Sequence, residues 1–274
     1  MDFTCEDLTY IRNLVREQSA IVLDEKKEYL ICSRLEPLAK DLGFDSLLTL
    51  VRKLRRTSYS ILHRKVVEAM TTNETSFFRD VSSFFALKEC LIPELIARKA
   101  SKKSLSIWCG ASSSGQEPYS IMMTIMEHFP ELQNWQIRFL ATDISETMLK
   151  KCREGIYSQL EVDRGLSISL LRKYFSKNET SWQIDEAIRR KIDFRELNLV
   201  GPWTLFPRVD MVVLRNVLIY FDGNTKKRIL RKIRHILDPQ GYLLLGGSET
   251  TINLDDHYER VAVNGISCYR IRKQ

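Results

Sequence analysis

Two stretches of this chain carry side chains suited to holding a small charged molecule. Thr71-Thr72-Asn73-Glu74-Thr75-Ser76-Phe77-Phe78-Arg79-Asp80 gathers hydroxyls, an amide, carboxylates and a guanidinium in one short run. Further on, Leu105 to Trp108 reads as a strand, Cys109 to Gly115 as a turn of small residues, and a helix is expected from about Glu117. Small residues let a cofactor approach the backbone closely. Gly110 and Gly115 do not fit the G-x-G-x-x-G spacing, and such turns also serve as plain tight connections, so the turn alone leaves both readings open. The next strand adds to it: Gln136 to Ala141 runs into Thr142-Asp143-Ile144-Ser145, with a helix expected after. A carboxylate at the end of the second strand of a nucleotide-binding sheet accepts from ribose hydroxyls. Asp143 fits that role, and Asp143 or Ser145 would serve equally as the cap of the following helix.

The elements that must position these residues fall into three parts. Residues 1 to about 60 show helical periodicity: Leu8, Ile11, Leu14 and Val15; Leu30, Ile31, Leu35 and Leu38; Leu47, Leu48, Val51 and Leu54. Gly43 ends one helix, and Thr57-Ser58-Tyr59-Ser60 makes a polar joint. From Ser104 onward short apolar strands alternate with helices, the pattern of a mainly parallel, doubly wound sheet. Its strands are expected at Leu105 to Trp108, Ile137 to Ala141, Ile192 to Arg195, Val209 to Arg215, Tyr242 to Gly246 and near Ile266 to Ile271. Between Gly155 and Lys191 the alternation breaks, with a polar loop at Ser176 to Ser181 and short alternating pieces around Trp182 to Ile188. A small inserted β element accounts for this.

Composition limits the classes. A chain of 274 residues holds one large domain or two modest ones. No stretch approaches the ~18 apolar residues of a membrane span, the polar start Met1 to Asp7 is unlike a signal peptide, and a cytoplasmic location is expected. Cys5, Cys32, Cys90, Cys109, Cys152 and Cys268 are widely spaced without a C-x-x-C pair, so neither a disulfide framework nor a metal site is expected. The net charge of +7 invites a nucleic-acid reading. Its cations, however, lie on helical stretches among acids, with Arg52, Lys53, Arg55 and Arg56 the densest run. That pattern suits a solvated face or a surface for an acidic protein.

Over essentially its whole length the chain resembles chemotaxis receptor methyltransferases of the CheR type. The resemblance rests on separated motifs in the same order: residues 71–80, Gly115-Gln116-Glu117-Pro118-Tyr119-Ser120-Ile121, Ala141-Thr142-Asp143-Ile144, and Leu214-Arg215-Asn216-Val217-Leu218-Ile219-Tyr220-Phe221. It implies an α/β, Rossmann-like class I methyltransferase domain, an all-α N-terminal domain and a small inserted antiparallel β-subdomain. The corresponding ranges are 1–60 for the helical domain, 61–75 for a linker helix leading into the cofactor site, and 76–274 for the catalytic domain, with the insert at about 158–191. The cofactor implied is S-adenosylmethionine, and the reaction is methyl transfer to glutamate carboxylates of chemotaxis receptors, which tunes adaptation.

By the same resemblance the cofactor contacts are Asn73, Thr75, Arg79, Glu117, Asp143, Asn198, Leu199, Arg215 and Asn216. This set of acids, amides and guanidinium groups complements the cofactor's ammonium, carboxylate, ribose hydroxyls and adenine edge. Glu117 also reads as an acid in a helix's first turn, and Arg215 and Asn216 as structural groups at a strand end. Arg79 and Tyr220 are the residues expected to shape the acceptor site: Arg79 by holding a carboxylate, Tyr220 by its hydroxyl or as a half-buried aromatic with a wet tip. An ionised acceptor needs no general base, so alignment for in-line displacement carries the chemistry. Two departures stand out: Glu74 replaces a common apolar residue, and Gly247 a common histidine. The insert around Lys177 to Ile188 lacks a glycine-bearing loop, so the partner is expected to be the cytoplasmic helical domain of the receptor without tethering of a C-terminal pentapeptide. Lys27 and Arg34, seven apart on one helix face, are the expected dock for an acidic receptor helix. The enzyme is expected to be a monomer. A methyltransferase acting on another protein or on nucleic acid, or a non-catalytic cofactor-binding sensor, are the alternatives. Asn216-Val217-Leu218-Ile219 is unlike the Asn-Pro-Pro-Tyr motif of base amino-methylation, and no nucleic-acid partner is expected.

Overall fold

A computed structural model describes residues 4–24, 28–204, 206–261 and 266–272. The chain divides into two compact units, one of Met1–Thr72 with Tyr220–Thr225, the other of Asn73–Ile219 with Lys226–Gln274.

The first unit holds α1 (Cys5–Ser19), α2 (Glu28–Asp41), α3 (Leu47–Arg56) and α4 (Ile61–Met70). Each helix turns one apolar stripe inward: Ile11, Leu14 and Val15; Ile31, Leu35 and Ala39; Leu47, Leu50, Val51 and Leu54; Val66, Val67 and Met70. The spacings of three and four residues are those of a single helix face. Leu50 is buried, whereas Leu48 is only half-buried. Thr4 and Asp7 form a capping box at α1, and Ser46 caps α3 by accepting from the Thr49 N–H at 3.2 Å. The chain leaves α2 through bonds from the Gly43 N–H to Lys40 and from the Phe44 N–H to Ala39, each 2.9 Å, which satisfy carbonyls at the helix end.

In the second unit, α5 (Val81–Ala86), a π turn at Leu87–Leu91 and α6 (Ile92–Lys99) lead into β1 (Ser104–Gly110), followed by α7 (Gln116–His128), β2 (Gln136–Asp143) and α8 (Glu146–Glu154). An insert then holds β3 (Ile156–Ser158), α9 (Gln159–Asp163), α10 (Ile168–Tyr174), β4 (Phe175–Asn178), β5 (Ser181–Ile184) and α11 (Glu186–Arg189). The chain resumes with β6 (Asp193–Glu196), β7 (Val209–Leu214), α12 (Gly223–Ile236), β8 (Leu237–Leu245), β9 (Tyr258–Val261) and β10 (Cys268–Ile271).

The main sheet runs β6-β2-β1-β7-β8-β10-β9. Its first five strands are parallel, and β10 pairs antiparallel with both β8 and β9. β9 was not expected from the sequence, because His257-Tyr258-Glu259-Arg260-Val261 has too little apolar alternation to read as a strand and is defined by its partner β10. The expected β element of the insert is a three-stranded antiparallel sheet, β3-β5-β4. Its alternation stops at Ile184, and the residues read as strand beyond it form the single helical turn α11.

Every residue of β7 is buried, including Asp210. A carboxylate in a central strand needs partners, and Asp210 accepts from the Ser106 N–H at 2.8 Å and pairs with Lys99 at 2.5 Å. Sequence order reverses between β1 and β7: the chain moves from β1 outward to β2 and β6, then crosses to β7 on the other flank. The crevice beyond the carboxyl ends of the strands at such a reversal is where open α/β sheets place ligands.

Candidate active site

At that reversal β1 ends in the turn Ala111–Gly115, β2 in Asp143, β7 in Arg215 and Asn216, and β6 leads to Asn198 and Leu199. Residues 73–80 join them before α5 through the contacts below.

Arg215 is at the centre, its side chain only 2% exposed. It forms an ion pair with Glu117 in the first turn of α7, pairs with Asp80 Oδ2 at 2.6 Å and donates to the Arg79 carbonyl at 3.0 Å. Its Nε is buried and has no acceptor among the described residues. Glu117 thus lies opposite a guanidinium supplied by a strand ninety-eight residues away. Burial, with Glu117 alongside, pushes the Cys109 thiol well up, so the thiol stays protonated and donates to Glu117 Oε2 at 3.5 Å.

Asp143 is buried and joins two loops. Its Oδ2 accepts from the Ser113 N–H at 2.8 Å and its Oδ1 from the Ser145 N–H at 2.9 Å. Ser145 is the helix cap, accepting from the Met148 N–H at 3.3 Å. The turn after β1 is fixed from other directions too. Ser113 Oγ donates to the Asn73 carbonyl at 2.8 Å, linking it to the 71–80 motif, and the Tyr157 hydroxyl of the small sheet donates to the Ser114 carbonyl at 2.7 Å. Gly115 begins α7 at φ +92°, and a Cβ there would come within 3.0 Å of Cys152 Sγ and 3.2 Å of the Tyr157 hydroxyl, so both backbone and space require glycine.

Phe77 is fully buried and packs edge-on against Tyr157 and Phe175 of the small sheet, with ring centroids 5.0 and 5.6 Å away. Arg79 is half-buried and donates to the Glu74 carbonyl at 3.0 Å. Thr75 is half-buried beside it in sequence. Asn198 accepts from the Val200 N–H at 3.1 Å through its own side chain, and Lys232 of α12 donates to the carbonyls of Leu199 and Gly201 at 3.1 and 2.6 Å, holding this loop in place.

Several of the non-glycine residues with positive φ sit here: Phe78, Asp80, Ala111, Ser113 and Asn216, at +47°, +60°, +54°, +50° and +58°. Left-handed backbone at non-glycine residues costs ~1 kcal/mol or more each and persists only where surrounding contacts enforce it, commonly at functional sites.

Two residues named from the sequence make their backbone and side-chain contacts within the first unit, and a third lies outside the described residues. Tyr220 is half-buried in a 3₁₀ turn, Leu218–Tyr220, belongs to the first unit, and its backbone carbonyl accepts from the Val22 N–H at 3.0 Å. Arg34 turns inward, donating to the carbonyls of Met70 and Thr71 at 2.8 and 2.9 Å and to Thr72 Oγ1 at 3.1 Å, where it caps the end of α4. Lys27 lies outside the described residues.

Two residues were missed. Glu249 accepts four backbone N–H groups around Asn216, and Asp80, although inside a recognised motif, was not singled out as the second partner of Arg215. An acid two residues after paired glycines was the signal the sequence carries for Glu249.

The family described as "CheR methyltransferase, SAM binding domain" matches residues 73–265, and "CheR methyltransferase, all-alpha domain" matches residues 6–71. Among curated relatives, "Chemotaxis protein methyltransferase Cher2" of Pseudomonas putida is 42% identical over 93% of this chain and 94% of its own length. "Chemotaxis protein methyltransferase 1" of Pseudomonas aeruginosa is 41% identical over 97% of this chain and 98% of that protein. The "Chemotaxis protein methyltransferase" of Vibrio parahaemolyticus is 40% identical over 94% of each. The chain belongs to the CheR methyltransferase family, and it is an S-adenosylmethionine-dependent chemotaxis methyltransferase.

Proposed function

We propose that the enzyme methylates glutamate side chains in the cytoplasmic helical domain of methyl-accepting chemotaxis receptors, and that Asn73, Thr75, Arg79, Glu117, Asp143, Asn198, Leu199, Arg215 and Asn216 hold the cofactor. The observation that carries this assignment is the buried Arg215, set between Glu117 and Asp80 with its Nε unmatched among the described residues. An unsatisfied buried N–H costs ~1–3 kcal/mol, and the cofactor's own acceptors are suited to satisfy it. Asp143, a buried carboxylate at the end of β2, is an acceptor of the type that ribose hydroxyls need.

Bound there, S-adenosylmethionine supplies a methyl carbon made electrophilic by the adjoining sulfonium. The acceptor carboxylate is ionised near neutrality, so this chain needs no general base, and its residues act by alignment and by excluding water. In this reading Arg79 holds a carboxylate with the part of its guanidinium not bonded to Glu74, and the Tyr220 hydroxyl serves the acceptor.

The proposed division of labour gives receptor recognition to 1–60, the lead into the cofactor site to 61–75 and catalysis to 76–274. Recognition proceeds without pentapeptide tethering, by a monomer, in the cytoplasm. No described helix is long and apolar enough to cross a membrane. Lys27 and Arg34 remain the proposed dock, with Arg34 acting from its place at the end of α4.

The test is transfer of labelled methyl from S-adenosylmethionine to purified receptor cytoplasmic fragments, with Asp143→Ala as control and alkali to release ester-bound label. Alkali-labile label lost in the control is the expected result. Cofactor binding without labelling of any receptor fragment would move the search to other acceptors, and tight binding of a receptor C-terminal pentapeptide would overturn the untethered reading.

A further inference from the structure

β8 ends at Leu245, which lies opposite Leu214 in the parallel pairing with β7. The chain then turns through Gly246, Gly247 and Ser248 and brings the Glu249 carboxylate against the loop after β7. Oε2 accepts from the N–H groups of Gly246 and Asn216 at 2.7 and 2.8 Å, and Oε1 from those of Val217 and Leu218 at 2.9 and 2.7 Å. Glu249 is 5% exposed. A carboxylate offers about four acceptor positions, so the backbone takes up its hydrogen-bonding capacity. It therefore acts through the loop and touches no reactant.

We infer that Glu249 is a positioning residue for the cofactor site, holding Asn216 and the preceding Arg215 in their binding geometry. The inference rests on the assignment of Asn216 and Arg215 as cofactor contacts. Asn216 sits at φ +58°, a conformation that needs an external hold, and Glu249 grips its N–H together with the next two. Space around the contact is equally tight. A Cβ on Gly246 would stand 2.8 Å from Glu249 Oε2 and 2.9 Å from both nitrogens of Asn216, so a methyl group there would push the two apart.

Glu249→Gln preserves shape and removes the acceptor property. An amide nitrogen would face N–H donors, so one side of the grip is lost. In the full-length protein, the affinity for S-adenosylmethionine measured by calorimetry should weaken ~10-fold or more, the scale of one charge-assisted hydrogen bond. Glu249→Asp should recover part of it. A purely structural role would lower the melting temperature and leave the affinity of the folded protein unchanged. Gly246→Ala perturbs the same contact from the other side, should weaken binding likewise, and decides the matter if Glu249→Gln does not fold. In combination with Asn216→Ala, either change should add less than it does alone, because Glu249 acts in part by placing the side chain that Asn216→Ala removes. Wild-type affinity in Glu249→Gln and Gly246→Ala, with Asn216→Ala weakened, overturns the positioning role and leaves the Asn216 assignment standing. Wild-type affinity in Asn216→Ala as well overturns the assignment beneath it.

Discussion

Replacing Arg215 with methionine removes two ion pairs while keeping an apolar stem of similar length. The two partners respond differently. Asp80 is 48% exposed and returns to water, a loss worth under ~1 kcal/mol. Glu117 is 13% exposed and cannot return, so its carboxylate is left buried without a counter-charge. Breaking a buried pair from one side costs ~3–5 kcal/mol. Glu117 keeps the Cys109 thiol as a weak donor, which places the expected loss at the lower end, about 3 kcal/mol. At ~2–4 °C per kcal/mol for a unit of this size, the melting temperature should fall by about 6–12 °C. All four tryptophans, Trp108, Trp135, Trp182 and Trp203, lie in the second unit, so their fluorescence during urea or thermal unfolding reports on the unit that contains Arg215. The double change Arg215→Met with Glu117→Gln removes the stranded charge and should recover more than half of the lost stability, while cofactor affinity stays low. A melting temperature within about 2 °C of wild type for the single change, or a double variant less stable than the single one, would refute the argument that a stranded Glu117 dominates.

Asp143→Ala leaves the N–H groups of Ser113 and Ser145 without their acceptor and should cost ~1–3 kcal/mol together with at least a tenfold loss of cofactor affinity, read by denaturation and calorimetry in parallel. Arg79→Ala should lower turnover far more than stability, since this half-buried side chain contributes one bond to the Glu74 carbonyl; normal turnover with normal melting would remove Arg79 from the mechanism. Glu127 is held below its usual carboxylate value of 4.5 by the Lys173 ammonium and then the Tyr174 hydroxyl. A depressed carboxylate stabilises the fold above its unfolded value and loses that contribution as pH falls through its folded value. Glu127→Gln should therefore be the less stable protein near neutrality and converge with wild type below pH 4.5, which stability curves against pH would show.

Local pattern made much of this molecule legible. The helical stripes of the first unit follow from apolar spacing alone, because a helix places residues three and four apart on one face whatever surrounds it. β7 was readable as a buried parallel strand because it is a short apolar run, and β2 as a strand because it alternates and then turns apolar. The place of Asp143 at a strand end was legible because the apolar run before it marks where β2 stops. β9 was not, since its few residues become a strand only when β10 offers the ladder. The small sheet was readable as an insertion but not in its contacts: that Tyr157 ties it to the turn after β1 and Phe77 packs against it depends on how the chain returns.

The same division runs through the site. The order and residue types of the motifs determined the family, and with it the cofactor and the kind of reaction, because those depend on which groups are present. Which groups touch was decided only by the fold. Glu117 meets Arg215 across ninety-eight residues, and Glu249 meets Asn216 across thirty-three. Both meetings depend on strand order: β7 beside β1 sets Arg215 near the start of α7, and β8 beside β7 sets Glu249 under Asn216. Sequence shows each charge with its neighbours in the chain. Pairing of distant strands, driven by burial of their apolar faces, determines which charge becomes a partner, and that step has no signature in any local window.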